Sequence, residues 1–291
     1  MVGTTIDPMR HDVDERWTMA YAAALGDHDD CYMDTTSADG IVAHPLFAVC
    51  PEWPVIVSSR QLSTSFGLTA DEVRQGVHAT HDVVIRRLVR PGDTLHTRLS
   101  IAGLEQRNPG AFSTSLLETT DSAGEPVATT EQGSLYLGVP LDGDDRPPVT
   151  PLDPIDLPDL DGTVRAEIPV PISAGAAHTY TECARIWNPI HTDRTVALAA
   201  GLPDIILHGT ATLALAVSQI VATEAEDRPE LVRRIRGRFR SMVLMPSTIT
   251  VRIVDRTSLG DGRDAVRFDV QTEQGGPAID NGLVVLGPEE S

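Results

Sequence analysis

Two short runs in the C-terminal half contain the residue types that carbonyl chemistry needs. The first run is Asn188-Pro189-Ile190-His191, and the second is the pair His208-Gly209. A histidine held in a fixed position can act as a general base. A glycine amide at the start of a helix can approach a ligand closely and donate to developing negative charge. Together the runs predict a base and an oxyanion donor for a carbonyl or thioester substrate.

The residues around these runs predict the elements that position them. Pro189 has a fixed φ, suits the first turn of a helix and disfavours the helical conformation at Asn188. We therefore expect His191 near the start of a short helix, with Asn188 positioning the loop. Gly209 begins an apolar segment that is predicted to be a longer helix, ending near Ala225.

The segment from Tyr180 to Gly209 resembles the signature of the MaoC-like (R)-specific enoyl-CoA hydratases and dehydratases. That signature is roughly Tyr-Ala-x-x-Ser-Gly-Asp-x-Asn-Pro-x-His-x-Asp, followed by Ala-x-x-x-Gly and a later His-Gly. The positions that match are Tyr180, Asn188, Pro189, His191, Asp193, Ala199 or Ala200, Gly201, His208 and Gly209. The resemblance implies a hotdog fold and an enzyme that hydrates an enoyl thioester or dehydrates a 3-hydroxyacyl thioester. It also implies that His191 is the general base or acid and that the Gly209 N–H is the oxyanion donor.

One catalytic position departs from the family. Its aspartate, five residues before the histidine, is replaced here by Ile186. In the family this aspartate and the histidine hold one water between them, and isoleucine can neither bind water nor accept a proton. Because a general acid or base contributes about 10²- to 10⁴-fold, the replacement predicts weak hydration. Two alternatives stay open: an enzyme of the same fold with altered chemistry (a dehydratase/cyclase, isomerase or thioesterase of a biosynthetic pathway), or a non-catalytic acyl-thioester binding subunit.

Three residues close to the signature are candidates for substrate binding. Arg185 can present a positive fork to a carboxylate or phosphate, or form a surface ion pair. Trp187 can line the acyl pocket or pack in the core. His208 is predicted to form structural hydrogen bonds more than to act as a catalyst.

A stripe of arginines follows in the run VRRIRGRFRSMV. On a strand, side chains at every second position share one face. The arginines of this stripe are Arg234, Arg236, Arg238 and Arg240. The stripe could bind the phosphates of coenzyme A or phosphopantetheine. Alternatively, it is a sheet face that the chain's own carboxylates neutralise.

The two halves of the chain read as degenerate copies. Tyr21, Asp27, Tyr32 and Asp34 align with residues 180, 186, 191 and 193 without a gap. In the first half Pro45 stands where Gly209 offers an amide, so the N-terminal pocket is predicted to be disabled.

Helical and strand-like patterns follow the same order in both halves. The fold class that this order and the resemblance imply is α+β, a tandem (double) hotdog with two antiparallel sheets that each wrap a long central helix. The expected domains are an N-terminal hotdog at 1–139, a Pro/Asp-rich linker at 140–163 and a C-terminal hotdog at 164–291. The first central helix is expected to be interrupted near Pro51 and Pro54.

Composition limits the partners. The net charge is −19 with no lysine, which argues against non-specific binding to nucleic acid or membranes. Cys31, Cys50 and Cys183 have no metal-ligand spacing, and an odd number of cysteines without a signal peptide favours reduced thiols in a cytoplasmic protein. No metal and no separate cofactor is expected. Coenzyme A or phosphopantetheine is expected only as part of an acyl-CoA or acyl-carrier-protein substrate. A homodimer is one open oligomeric state.

Overall fold

A computed structural model describes residues 1–63, 66–149, 152–159 and 163–288. Ten strands form one antiparallel sheet in the order β1-β3-β4-β5-β2-β7-β10-β9-β8-β6. The strands are β1 (Thr5–Asp12), β2 (Gly76–Ile85), β3 (Thr94–Arg107), β4 (Gly110–Thr120), β5 (Pro126–Leu137), β6 (Ala166–Ile172), β7 (Val232–Phe239), β8 (Ser247–Ser258), β9 (Asp264–Gln271) and β10 (Pro277–Leu286).

The helices pack on this sheet or connect its strands. They are α1 (Glu15–Leu25), α2 (Asp30–Met33), α3 (Val49–Ser63), α4 (Ala70–Arg74), α5 (Ala176–Ala184), α6 (Arg194–Ala199) and α7 (Gly209–Glu224). Single 3₁₀ turns lie at Pro189–His191 and Pro229–Leu231. None of the helices in these described ranges is long and apolar enough to cross a membrane.

The two halves have the same topology on either side of a central seam. Strands β1-β3-β4-β5-β2 of the first half correspond in chain order to β6-β8-β9-β10-β7 of the second. The seam is the antiparallel pair β2 and β7, in which Asp82 lies opposite Arg236 and His81 opposite Gly237. The predicted tandem hotdog is confirmed, and its two five-stranded sheets join edge to edge into one.

Each half has one central helix against its sheet. In the second half α7 begins at Gly209 as predicted, and the side chains of Leu213, Val217 and Ile220 are fully buried. In the first half α3 runs through both Pro51 and Pro54, so the predicted interruption is wrong. Pro51 is the third residue of α3, within the first turn, where no intrahelical N–H bond is lost.

The described residues between the halves are extended and pack along the protein. Arg146 and Leu104 exchange backbone hydrogen bonds of 2.7 and 2.8 Å. Further along, Arg234 donates to the Asp153 carbonyl at 2.6 Å. The described part of this segment therefore follows the sheet on its way to the second half.

Candidate active site

His191 lies at the end of the 3₁₀ turn that Pro189 begins. Its backbone N–H donates to the Asn188 carbonyl at 3.1 Å, and Asn188 has the extended conformation (φ −123°, ψ 113°) expected before a proline. The ring Nδ1 lies 2.8 Å from the Ile206 carbonyl oxygen, so Nδ1 carries the proton and donates. Nε2, which has no hydrogen-bond partner among the described residues, is left with its lone pair free.

Burial keeps the His191 ring neutral. The side chain is 9% exposed, and burial lowers the pKa of His191 to about 4, with a smaller contribution in the same direction from the charge of Arg60. At neutral pH the ring is therefore an unprotonated base with a fixed tautomer.

His208 supports His191 from one side. The two rings stack with centroids 3.7 Å apart, and Nε2 of His208 lies 3.1 Å from the Thr181 hydroxyl. Burial, followed by the neighbouring His191 ring, holds the pKa of His208 well below its usual value. These contacts agree with a structural hydrogen-bonding role for His208, and a substrate contact of His208 stays a prediction.

Gly209 is the first residue of α7, directly after His208. Its N–H has no acceptor within the described parts of the chain, as expected for the first amide of a helix. A Cβ built on Gly209 would lie 3.0 Å from the Phe239 ring. The absence of a side chain therefore lets the Phe239 ring pack closely against Gly209.

No carboxylate among the described residues contacts His191. Asp193 caps α6 by accepting from Thr195 and Val196, and Asp204 pairs with Arg194 at 3.3 Å. Ile186 is 5% exposed and belongs to the main hydrophobic core. Within the described ranges, His191 therefore has no carboxylate partner.

Arg185 and Trp187 lie on either side of Ile186 in the chain, and their side chains contact residues outside the site. Arg185 ends α5 in the left-handed conformation, φ 59°, and its guanidinium lies 4.0 Å from the centroid of the Trp17 ring. Trp187 is 59% exposed, so the interpretation of Trp187 as a core residue is wrong. Substrate contacts of Arg185 and Trp187 stay predictions.

The arginine stripe is largely paired with carboxylates. Arg234 forms a bidentate pair with Asp82 at 2.7 and 2.8 Å across the seam, and Arg238 pairs with Asp280 at 2.5 Å. Arg240, just beyond β7, lies 3.5 Å from the same Asp280. These pairs support the interpretation of a self-neutralised face, and Nε of Arg236 is buried without a partner among the described residues.

The corresponding position in the first half has a different set of groups. Ser218 of α7 lies 2.7 Å from Asp27 and 3.3 Å from Nε2 of His44, and burial raises the pKa of Asp27 to about 6. Tyr32 occupies the place that aligns with His191. The carboxylate missing from the second half is thus present in the first, where it bonds to Ser218 and not to His191.

Arg60 of α3 was not singled out from the sequence. Its charge contributes to the lowered pKa of His191 and of His78, which places its guanidinium near the site. In the sequence, Arg60 is an arginine at the end of a largely apolar helical run. Such an arginine usually extends its charged group into solvent, so this pattern does not indicate a site residue.

Comparisons with known proteins agree with this architecture. Residues 158–274 match the MaoC like domain, and residues 1–130 match the FAS1-like dehydratase domain region. A solved structure of a MaoC-like dehydratase from Phytophthora capsici superposes with a TM-score of 0.81 at 20% identity, covering 99% of this chain and 96% of that one. The fold is thus that of the double-hotdog dehydratases. Residues 158–274 are a MaoC-like dehydratase domain, and residues 1–130 are a FAS1-like dehydratase region.

Two curated proteins are similar over part of the chain. Enoyl-CoA hydratase 2 of Arabidopsis thaliana, a peroxisomal protein, is 38% identical over 63 residues, 22% of this chain and 20% of that protein. The peroxisomal multifunctional enzyme type 2 of Drosophila melanogaster is 28% identical over 161 residues, 54% of this chain and 26% of that enzyme. The chain therefore aligns with about a quarter or less of the length of these two relatives.

Proposed function

We propose that this protein catalyses reversible hydration of an enoyl thioester to a 3-hydroxyacyl thioester, on coenzyme A or an acyl carrier protein. The observation that carries the proposal is the free Nε2 of His191, held by the bond from Nδ1 to the Ile206 carbonyl, close to the unpartnered Gly209 amide. The match of residues 158–274 to the MaoC like domain and the similarity to a named enoyl-CoA hydratase support the same reaction.

The geometry favours a mechanism with a single proton-transfer group. Nε2 of His191 accepts a proton from water while the water oxygen bonds to C3 of the enoyl group, and the C2–C3 π electrons move toward the thioester carbonyl. The Gly209 N–H donates to the carbonyl oxygen as that oxygen gains negative charge. The protonated ring then returns its proton to C2, which restores neutral His191. Because the pKa of His191 is about 4, the neutral ring is a weak base and the protonated ring is a correspondingly strong acid, so the second proton transfer is the easier one.

The experiment is hydration of crotonyl-CoA and a longer trans-2-enoyl-CoA, followed by loss of enoyl absorbance. His191→Gln is expected to lower kcat/KM by about 10²- to 10⁴-fold. His28→Ala is the matched control, because His28 is exposed and bonds only to the Gly26 carbonyl, at 2.8 Å. Activity that survives in His191→Gln at the parental level would disprove the assignment of the base.

A second candidate is an isomerase, in which His191 moves a proton between two carbons of an unsaturated acyl thioester. The lack of any described carboxylate beside His191 favours it, because such a reaction needs one base and no water. Incorporation of deuterium from solvent into the acyl chain, without formation of a 3-hydroxy product, would select the isomerase over the hydratase.

A further inference from the structure

The space beneath α3 in the first half is lined by polar side chains. Residues of β2, β4 and β5 on the face toward α3 form two cross-strand rows. One row is Ser113, Ser134 and His78, and the other is Ser115, Gln132 and His81. The same face also carries Leu99 and Leu117, which pack with Ile56 of α3. A cleft between α3 and the sheet is lined by Ile56, Ser59 and Arg60 together with Ser113, Ser115, Gln132, Ser134 and Tyr136.

Several polar atoms in this region lack partners. His81 is 1% exposed, and neither of its ring nitrogens has a hydrogen bond among the described residues. Glu52 of α3 is also 1% exposed; its Oε1 accepts from Thr130 at 2.5 Å and its Oε2 has no described partner. Buried polar groups are normally paired in the folded state. Unpaired groups at this density are expected where a polar ligand completes them.

Arg60 is the cation of this cleft. Its guanidinium lies 5.0 Å from the centroid of the Trp53 ring. It has neither a hydrogen bond nor an ion pair with any residue in the described ranges. Arg60 is partly buried, and an unpaired arginine in such a place costs free energy that a bidentate anion recovers.

Ring contacts connect the first polar row with the proposed active site, because His78 lies opposite Ser134 in the sheet. Arg60 lines the cleft, and its charge also acts on His191 and on His78. The His78 ring in turn contacts Phe239 at a centroid distance of 4.7 Å, and Phe239 borders Gly209. A thioester carbonyl at Gly209 would therefore place its acyl group toward Arg60 and the serine rows.

We infer that the preferred substrate has an acyl chain that ends in a carboxylate, which Arg60 binds while the serine and glutamine side chains solvate the chain's polar end. This inference rests on the proposed function, because it assigns the acyl group of that thioester. An acyl carboxylate fits this position better than a phosphate of coenzyme A, because the cleft lies beneath α3, within the first hotdog.

The test compares two thioesters of equal length, trans-2-hexenoyl-CoA and the mono-CoA thioester of trans-2-hexenedioic acid. The parent is expected to have a kcat/KM at least about tenfold higher for the dicarboxylic thioester, and Arg60→Gln is expected to lower this preference by roughly 10- to 100-fold, as for a lost charge-assisted bond. The ratio of the two kcat/KM values is taken within one variant, so any effect of Arg60 on His191 or on folding cancels. Arg98→Gln is the matched control and keeps the parental ratio, because Arg98 is an exposed residue of β3 paired with Glu118. A parental preference for hexenoyl-CoA, or an unchanged ratio in Arg60→Gln, would overturn the inference.

Calorimetry with unreactive ligands separates this inference from the proposed function. The parent is expected to bind adipoyl-CoA more tightly than hexanoyl-CoA, and Arg60→Gln is expected to remove the difference. If neither enoyl thioester is hydrated but this difference is found, the proposed function fails and the carboxylate site stands. If Arg60→Gln weakens binding of free coenzyme A as much as binding of adipoyl-CoA, the anion bound by Arg60 is a phosphate and the inference is wrong.

Discussion

The imidazole rings of His191 and His208 stack with their centroids 3.7 Å apart and their planes inclined by 25°. Both rings are buried; a proton on His191 would face the charge of Arg60, and a proton on His208 would face the His191 ring. Burial in this stacked pair keeps His191 neutral, while its Nδ1 bond to Ile206 leaves Nε2 as the basic atom.

The first prediction is a pH profile without the limb near pH 6.5 that an ordinary histidine gives. The pKa of His191 is about 4, and only the neutral ring accepts a proton. We expect kcat/KM to be level from about pH 8 to pH 5 and to fall as the pH drops through 4. Circular dichroism at each pH separates this loss from unfolding. In Arg60→Gln the acidic limb should move to higher pH, because a positive charge near the ring has been removed; a limb that stays in place would contradict the placement of Arg60.

The second prediction separates the Gly209 amide from the space around it. Gly209→Ala adds a Cβ that meets Phe239 but keeps the N–H, whereas Gly209→Pro adds atoms and removes the N–H. Proline suits the first position of a helix, and His208 already has the extended conformation that a following proline needs (φ −61°, ψ 138°). We expect kcat for Gly209→Pro to be about 10²- to 10³-fold below that for Gly209→Ala, as for a lost oxyanion donor. Equal activity of the two variants would show that the amide does not contact the substrate.

Much of the fold could be predicted from the sequence because its signals are local. Turn residues and β-branched runs predict strands at 93–101, 111–120, 126–137, 248–254, 264–271 and 279–286. These correspond to β3, β4, β5, β8, β9 and β10, of which β3 and β8 run further than predicted. Gly26 is a predicted helix stop, and it ends α1 with a positive φ of 81°. The edge strands β1 and β6 were missed. In β6, Pro169 and Pro171 argue against a strand, yet proline is tolerated at a sheet edge where its missing N–H faces away from a neighbour.

The site was only partly predictable, because some of its parts meet through tertiary structure alone. The motif placed His191, His208 and Gly209 together because they lie within one segment of the chain. Arg60 lies more than a hundred residues away in the other half, and no local pattern connects it with His191. The polar rows beneath α3 depend on the register of β2, β4 and β5, which single-strand patterns do not give.

The third prediction concerns the buried Glu52 carboxyl. Burial raises the pKa of Glu52 to about 8, above its unfolded value of about 4.3. The folded state therefore binds the proton more tightly, and the cost of ionisation builds up as the pH rises from about 4.3 to 8. We expect the free energy of unfolding of Glu52→Gln to exceed that of the parent. The difference should increase over this pH range and level off above pH 8 at a value on the order of a few kcal/mol. Urea unfolding of both proteins at several pH values measures this difference in unfolding free energy. A difference that does not change with pH would contradict the raised pKa of Glu52.

The last prediction restores the family carboxylate with Ile186→Asp. Ile186 takes the aligned position of the catalytic aspartate, five residues before His191, and in the family that aspartate and the histidine hold one water between them. A carboxylate there is expected to share the water with His191 and to raise the hydration rate of crotonyl-CoA by about 10- to 100-fold, within the range for a general acid or base. The change also places a polar group in the core, so a loss of unfolding free energy of about 1–3 kcal/mol is expected.

Ile186→Asn is the matched control for this gain. Asparagine has nearly the same shape and a similar burial cost but cannot transfer a proton, so it should lose stability without gaining activity. A gain in Ile186→Asp alone would show that the pocket keeps the family geometry and that Ile186 limits the hydration of simple enoyl thioesters. Equal rates in Ile186→Asp, Ile186→Asn and the parent would instead show that position 186 does not reach the water bound to His191, and that the one-base mechanism depends on groups supplied by the substrate.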